Sequence, residues 1–162
     1  MMKIAIGSDH GGLELKNELL KFLEGSGGYG VKDFGTHSKE SCDYPLIGFE
    51  VAKAVSDGEF GRGILLCKSG IGMAIIANKL PGVRAAACYD TELAKLSREH
   101  NDCNVLVLAA SYTDKNKVKD IVKIWLETGH SGERHARRVE QMKELEAGLK
   151  RERKDEPSKK RR

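Results

Sequence analysis

The chain has 162 residues, of which 40% are hydrophobic and 32% charged, with a formal net charge of +4. This balance is typical of a globular protein with one full core, and it excludes intrinsically disordered and membrane-embedded classes. No apolar run approaches the roughly 20 residues of a membrane-spanning helix, and no secretory signal precedes the first strand, so we expect a cytoplasmic protein without membrane contact.

Strands and helices are predicted to alternate five times along the chain. The predicted strands are 3–8, 31–34, 64–67, 83–88 and 104–109; the predicted helices follow at 13–23, 47–58, 71–79, 91–99 (capped by Thr91) and 114–127. A charged helical segment over 133–153 follows a break at Gly129 to Gly132. This alternation predicts an α/β fold with a doubly wound parallel sheet of five strands, whose carboxyl-end loops gather the ligand site.

The loop after the first predicted strand reads Asp9-His10-Gly11-Gly12. Two short polar side chains at a strand end are followed by glycines that permit close approach of a ligand to the backbone. Asp9 is equally compatible with a helix cap and with ligand binding.

The stretch from Gly63 to Lys79 predicts a strand, a glycine loop and a helix. Cys67 ends the strand, and the amides of Ser69 to Gly72 lie where the helix begins. Such amides can bind an anion and favour the thiolate form of the cysteine, which then serves as base or nucleophile. The alternative is a buried structural cysteine.

Two further pairs of polar residues follow. His100 and Asn101 stand where a helix meets a strand, and a lone surface or capping histidine is the commoner case. Arg134 and Arg138 are four residues apart, so both lie on one helix face and can clamp a phosphate. A solvated face that pairs with Glu133 or Glu140 fits the spacing as well.

The last thirteen residues, 150–162, hold eight basic and three acidic side chains, which leaves the rest of the chain near neutral. We expect a solvated, disordered tail outside a single domain at 1–149. Nucleic-acid binding is the alternative for this tail, but no aromatic residues are interleaved with the basic ones.

Neither a metal nor a nucleotide cofactor is expected. The four cysteines lack the paired spacing of zinc or Cys-x-x-Cys redox sites and are expected to be free thiols. The glycines form neither a dinucleotide fingerprint nor a phosphate-binding P-loop.

Taken together, the motifs resemble one family. Gly7-x-Asp9-His10-x-Gly12, Asp33-x-Gly35-Thr36, Asp43-Tyr44-Pro45, Cys67-x-Ser69-Gly70-Ile71-Gly72, Ala77-Asn78-Lys79, His100-Asn101 and Gly132-x-Arg134-His135-x-x-Arg138 occur in the order of the type B ribose-5-phosphate isomerases. The related galactose-6-phosphate isomerase subunits share much of this pattern. The resemblance covers roughly residues 3 to 145.

This resemblance implies a Rossmann-like three-layer fold, a C-terminal helix that extends to a partner subunit, and a homodimer, or a tetramer, with shared sites. It implies an aldose–ketose isomerase that interconverts ribose 5-phosphate and ribulose 5-phosphate without cofactors. Cys67 would move a proton between C1 and C2, Asp9 would assist proton transfer between the oxygens, and His100 would open the furanose ring. The remaining roles would be the anion hole of Ser69, Gly70, Ile71 and Gly72, sugar binding by Tyr44 and Asn101, and phosphate binding by His10, Arg134 and Arg138.

Two positions depart from the family pattern. Lys68 stands where glycine is usual, and Tyr112 stands in Ala110-Ser111-Tyr112, where an arginine is common. Lys68 either replaces the missing charge, or stabilises the thiolate further, or points to solvent. The alternatives for function are therefore an isomerase of a hexose 6-phosphate, of allose or galactose type, and a non-catalytic sugar-phosphate-binding module.

Overall fold

The computed structural model describes residues 1–155. Its strands are β1 Met2–Ser8, β2 Tyr29–Asp33, β3 Arg62–Cys67, β4 Ala85–Ala87 and β5 Val105–Ala109. Its helices are α1 Leu13–Gly25, α2 Tyr44–Ser56, α3 Ile71–Ala77, α4 Thr91–Asn101, α5 Val118–Glu127 and α6 Arg134–Asp155, with a 3₁₀ turn at His10–Gly12. The predicted alternation of strands and helices is confirmed.

All neighbouring strands are parallel, in the order β2-β1-β3-β5-β4. From β1 the chain moves outward to β2 and then returns to the other side of β1 with β3. The sheet therefore changes winding direction between β1 and β3. In open parallel sheets, ligands bind outside the carboxyl ends of the strands at such a point.

The sheet is covered by helices on both faces, as in a Rossmann-like three-layer fold. Leu66 and Leu108 point toward α1, α4 and α5, where Trp125 is fully buried. Leu65 and Val107 point the other way, toward α2 and α3. Because successive residues of a strand face opposite sides, strands buried on both faces need the continuous apolar runs seen in this sequence.

Most elements differ from the prediction by a few residues, and three differences are notable. The edge strand β4 has only three residues, and the side-chain amide of Asn78 bonds both the N–H and the carbonyl of Ala85 at 2.9 Å. Helix α4 is capped by Asp90, whose carboxylate accepts from the Leu93 amide, and not by Thr91. Helix α5 starts at Val118, four residues later than predicted.

Helix α6 packs against its own chain. Val139 is buried, and the carboxylate of Glu146 accepts from the amide of Gly82 at 3.0 Å. Its extension toward a partner subunit stays a prediction. The helix continues to Asp155, six residues past the predicted domain end at 149, and the rest of the predicted tail, 156–162, lies outside the described residues. No helix among residues 1–155 has the length and apolar content to cross a membrane.

A buried ionic cluster fixes the end of α4. Asp102, in the left-handed conformation, accepts from Arg98 and from Arg84, each at 2.8 Å. The Arg98 side chain is only 4% exposed. Burial raises the pKa of Asp102, but the hydrogen bond and charge of Arg98, with the charge of Arg84, outweigh it, so the pKa lies below its usual value.

Asp102→Ala is expected to lower the free energy of unfolding by about 3 kcal/mol at pH 7, because Arg98 is left buried without its carboxylate. A carboxylate with a depressed pKa stabilises the fold above its unfolded pKa of about 3.9, and the contribution is lost as pH falls through the folded value. Urea unfolding at pH 7 and under acidic conditions measures both effects. Glu140→Ala, at an exposed pair with Lys143, is the control; equal losses in the two variants would contradict the prediction.

Candidate active site

Asp9 and Cys67 lie side by side where β1 and β3 end. Ser8 is in register with Leu66, and the next residue of each strand is one of this pair. Neighbouring strands are about 4.8 Å apart, which brings the two backbones close. Both side chains face α2 and α3, because Gly7, two residues before Asp9, abuts α2, and Cys67 belongs to the core on that side.

The Cys67 thiol is 5% exposed, and its Sγ accepts a hydrogen bond from the Gly70 amide at 3.1 Å. Gly70 has a φ of +78°, a conformation that side chains rarely adopt, and this turn brings its amide back to the sulfur. The sulfur that the sequence predicts as base or nucleophile therefore has a fixed backbone hydrogen-bond donor.

The loop after Cys67 supplies fewer free amides than predicted. Gly70 donates to Cys67, and Ile71 donates to the Ser69 hydroxyl at 3.4 Å. Within residues 1–155, the amides of Ser69 and Gly72 have no protein acceptor and remain available to an oxyanion. Helix α3 has only seven residues, so these individual amides matter more than a helix dipole.

The carboxylate of Asp9 is 8% exposed, and its Oδ1 accepts from the Gly12 amide at 3.1 Å. It therefore caps the 3₁₀ turn at His10–Gly12. Its Oδ2 has no protein hydrogen-bond partner among residues 1–155. The cap fixes the carboxylate at the end of β1, the strand next to the one that ends in Cys67, so the capping role and a chemical role are compatible.

Two glycines, Gly72 and Gly11, allow neighbouring segments to pack closely around the candidate site. A Cβ on Gly72 would lie 2.5 Å from the ring of Tyr44, which packs on the loop from the start of α2. A Cβ on Gly11 would lie 3.3 Å from the Lys68 amide, so the two strand-end loops touch. The exposed ring of His10 accepts from the Cys42 amide at 3.2 Å.

Lys68 is an exposed cation at this edge. Within residues 1–155 its ammonium makes no ion pair, and its carbonyl accepts from the Ser111 amide at 3.1 Å. The loop after β5 therefore lies next to Lys68, and Tyr112 on that loop is 71% exposed. The structure places a free positive charge at the mouth of the candidate site.

The other predicted residues lie at the opposite edge of the sheet. His100 and Asn101 end α4 before β5 begins, whereas Cys67 is in register with Ala109 at the end of β5. Strand β5 separates the two edges by about 13 Å at the usual rise per residue. Within one chain, His100 and Asn101 are not brought to Cys67.

Arg134 and Arg138, at the start of α6, belong to the same edge as His100, since His135 between them stacks on the His100 ring. The pairing of Arg138 with Glu133 or Glu140 is not formed, and Glu140 instead bonds Lys143. The two arginines are exposed cations. The predicted residues thus form two half-sites: a thiol half-site at the carboxyl edge and a cationic half-site at the amino edge.

A buried ion pair that was not predicted from the sequence supports the thiol half-site. Lys16 is fully buried and contacts Asp33 at 2.5 Å. Asp33 also accepts from the Gly35 amide, and the Gly35 carbonyl accepts from the amide of Ser8, directly before Asp9. The signal was present, since Lys16 occupies the apolar stripe of α1, at the helical spacing of Leu19 and Leu23.

Two further cysteines are buried outside the candidate site. Burial raises the pKa of Cys88 to about 11 and also raises that of Cys103. All four cysteines are free thiols. Residues 1–155 contain no cluster of three or more potential metal-ligating side chains.

Comparison with known proteins gives consistent matches. A family model described as Ribose/Galactose Isomerase matches residues 4–142. The chain is 44% identical over 146 residues to ribose-5-phosphate isomerase B of Escherichia coli, covering 90% of this chain and 97% of that protein. It is 38% identical over 143 residues to D-erythrulose-4-phosphate isomerase of Pectobacterium atrosepticum, covering 88% and 93%. The solved structure of Clostridium thermocellum ribose-5-phosphate isomerase B aligns with a TM-score of 0.88 and 50% identity, covering 91% of this chain and 99% of that one.

Proposed function

Because the chain belongs to the ribose/galactose isomerase family and is a sugar-phosphate isomerase, we propose that it interconverts ribose 5-phosphate and ribulose 5-phosphate. The observation that carries the proposal is the thiol half-site, where the Cys67 sulfur accepts from the Gly70 amide and Asp9 follows the neighbouring strand. Residues 1–149 act as one isomerase domain, and the reaction uses no cofactor.

In the proposed reaction, the Cys67 thiolate removes the C2 proton of the open-chain aldose phosphate. The electron pair moves through C1 to the carbonyl oxygen and forms a cis-enediolate. The free amides of Ser69 and Gly72, with the Ser69 hydroxyl, stabilise its negative charge. Asp9 transfers a proton between the O1 and O2 oxygens, and the Cys67 thiol returns its proton to C1, which yields the ketose.

The thiol half-site needs a cationic partner for the substrate phosphate. We assign phosphate binding to His10 from the same chain and to Arg134 and Arg138 from a second copy. The second copy also supplies His100 for ring opening and Asn101 for the sugar hydroxyls. The support is that the two half-sites lie at opposite edges of the sheet, so one chain alone does not bring them together.

An exposed apolar surface beside the thiol half-site supports a second copy. Leu46 on α2 is 71% exposed, and Ile71 and Ile75 on α3 are 60% and 57% exposed. Exposed apolar side chains in such a group are typical of protein–protein contact. A homodimer that covers this surface brings a second chain next to Cys67, and a tetramer can be built from such dimers.

A substrate panel tests the proposed activity. The purified protein is incubated separately with ribose 5-phosphate, allose 6-phosphate and galactose 6-phosphate, and ketose formation is measured. The expected result is the highest kcat/KM with ribose 5-phosphate. A higher kcat/KM with a hexose 6-phosphate would identify that hexose phosphate as the substrate instead. Binding without turnover of any of the three sugars would indicate a non-catalytic module. Lys68, which adds a charge at the mouth of the site, is the residue we associate with any shift in preference.

A further inference from the structure

Two histidines form a parallel stack at the amino edge of the sheet. The ring centroids of His100 on α4 and His135 on α6 are 4.1 Å apart, and the ring planes differ by 3°. Both residues are half-buried. The flat face of His100 is therefore covered by His135, which limits rotation of the His100 ring.

The second ring also contacts an arginine. Nε of Arg134 donates to Nε2 of His135 at 3.4 Å. A nitrogen that accepts a hydrogen bond carries no proton, so this contact corresponds to the His135 tautomer with its proton on Nδ1. Burial lowers the pKa of His135, and the charges of His100, Arg134, Arg138 and His130 lower it further, in agreement with that geometry.

We propose that His135 is a positioning residue, which holds the His100 imidazole by stacking and ties it to the Arg134 guanidinium. This inference rests on the proposed function, since it assigns His135 to the ring-opening role of His100 and the phosphate-binding role of Arg134. A single aromatic bridge then links the two parts of the substrate that the cationic half-site must recognise: the ring oxygen and the phosphate.

The link has a chemical reason. Ring opening requires an imidazole nitrogen within hydrogen-bond reach of the sugar ring oxygen. The stack of His135 on His100 holds the plane of the His100 ring in one orientation. A small misplacement of a catalytic group lowers the reaction rate greatly, so loss of the stack is expected to lower kcat.

A double-mutant cycle tests the proposal with ribose 5-phosphate as substrate. His135→Ala is expected to lower kcat/KM about ten- to hundredfold, as expected for a misplaced catalytic group. If His135 acts through His100, the double variant His100→Ala/His135→Ala will be no slower than His100→Ala alone. His135→Phe keeps a flat ring against His100 and is expected to regain most of the lost kcat. Arg137→Ala, an exposed neighbour on the same helix, is the control and keeps wild-type kinetics.

Two results would overturn the proposal: wild-type kinetics in His135→Ala, or multiplicative losses in the double variant, as two independent roles would give. Failure of His135→Phe to recover kcat while its thermal stability matches the wild type would also count against stacking. Failure of the proposed function itself is distinct, because the unmodified protein would then form no ribulose 5-phosphate.

Discussion

Cys67→Ala is expected to lower kcat for ribose 5-phosphate by about a thousandfold, the usual range for loss of a general base. The methyl group of alanine cannot accept the C2 proton, and Asp9, which is assigned to the two oxygens, is held by its cap on Gly12. Binding of the phosphorylated sugar should persist, because its charged contacts lie elsewhere. Steady-state kinetics and calorimetric titration with ribose 5-phosphate measure the two properties separately.

The matched control is Cys103→Ala, which removes a thiol that is also 5% exposed but lies outside both half-sites, and whose pKa burial raises. This variant should retain kcat. Cys67→Ser, which keeps a hydroxyl of poor acidity in place of the thiol, should be nearly as slow as Cys67→Ala. Wild-type turnover in either Cys67 variant would remove the base assignment.

Arg138→Ala is expected to raise KM for ribose 5-phosphate about ten- to hundredfold, since a charge-assisted hydrogen bond to an anion contributes about 1.5–3 kcal/mol. Arg138 is exposed, and its sequence neighbour Glu140 is bonded to Lys143 instead. Its guanidinium is therefore free for a phosphate. Initial rates over a wide range of substrate concentration give KM and kcat separately.

Arg137→Ala is the control for this variant, because it removes an equal charge from the same helix at an exposed position. A specific phosphate contact predicts that only Arg138→Ala changes KM. If both variants raise KM slightly and equally, or if Arg138→Ala has no effect, Arg138 belongs to a solvated helix face.

Much of the fold follows from local patterns in the sequence. Continuous apolar runs such as 64–67 and 105–109 predict strands buried on both faces, and the glycine loop after Cys67 marks the turn into α3. Parallel strands place their following loops at one edge, so the neighbourhood of Asp9 and Cys67 was predictable. The ends of the elements were harder to predict from the sequence. Helix α3 is short, and Asp90 rather than Thr91 caps α4.

Contacts between distant segments could not be read from spacing. The burial of Lys16 against Asp33 and the stack of His100 on His135 join residues far apart in the chain. Nothing local in either segment specifies its partner. The separation of His100 from Cys67, in contrast, follows from the predicted elements, since His100 precedes the fifth strand and Cys67 ends the third.

Mixing subunits of Cys67→Ala and Arg138→Ala tests most directly whether one active site is built from two copies of this chain. At a ribose 5-phosphate concentration well below the wild-type KM, Cys67→Ala is nearly inactive and Arg138→Ala retains about a hundredth to a tenth of the wild-type rate. In a randomly mixed dimer of shared sites, one site of each hybrid is intact, which restores about a quarter of wild-type activity. Activity that stays at the average of the two separate variants after confirmed subunit exchange would contradict the shared site.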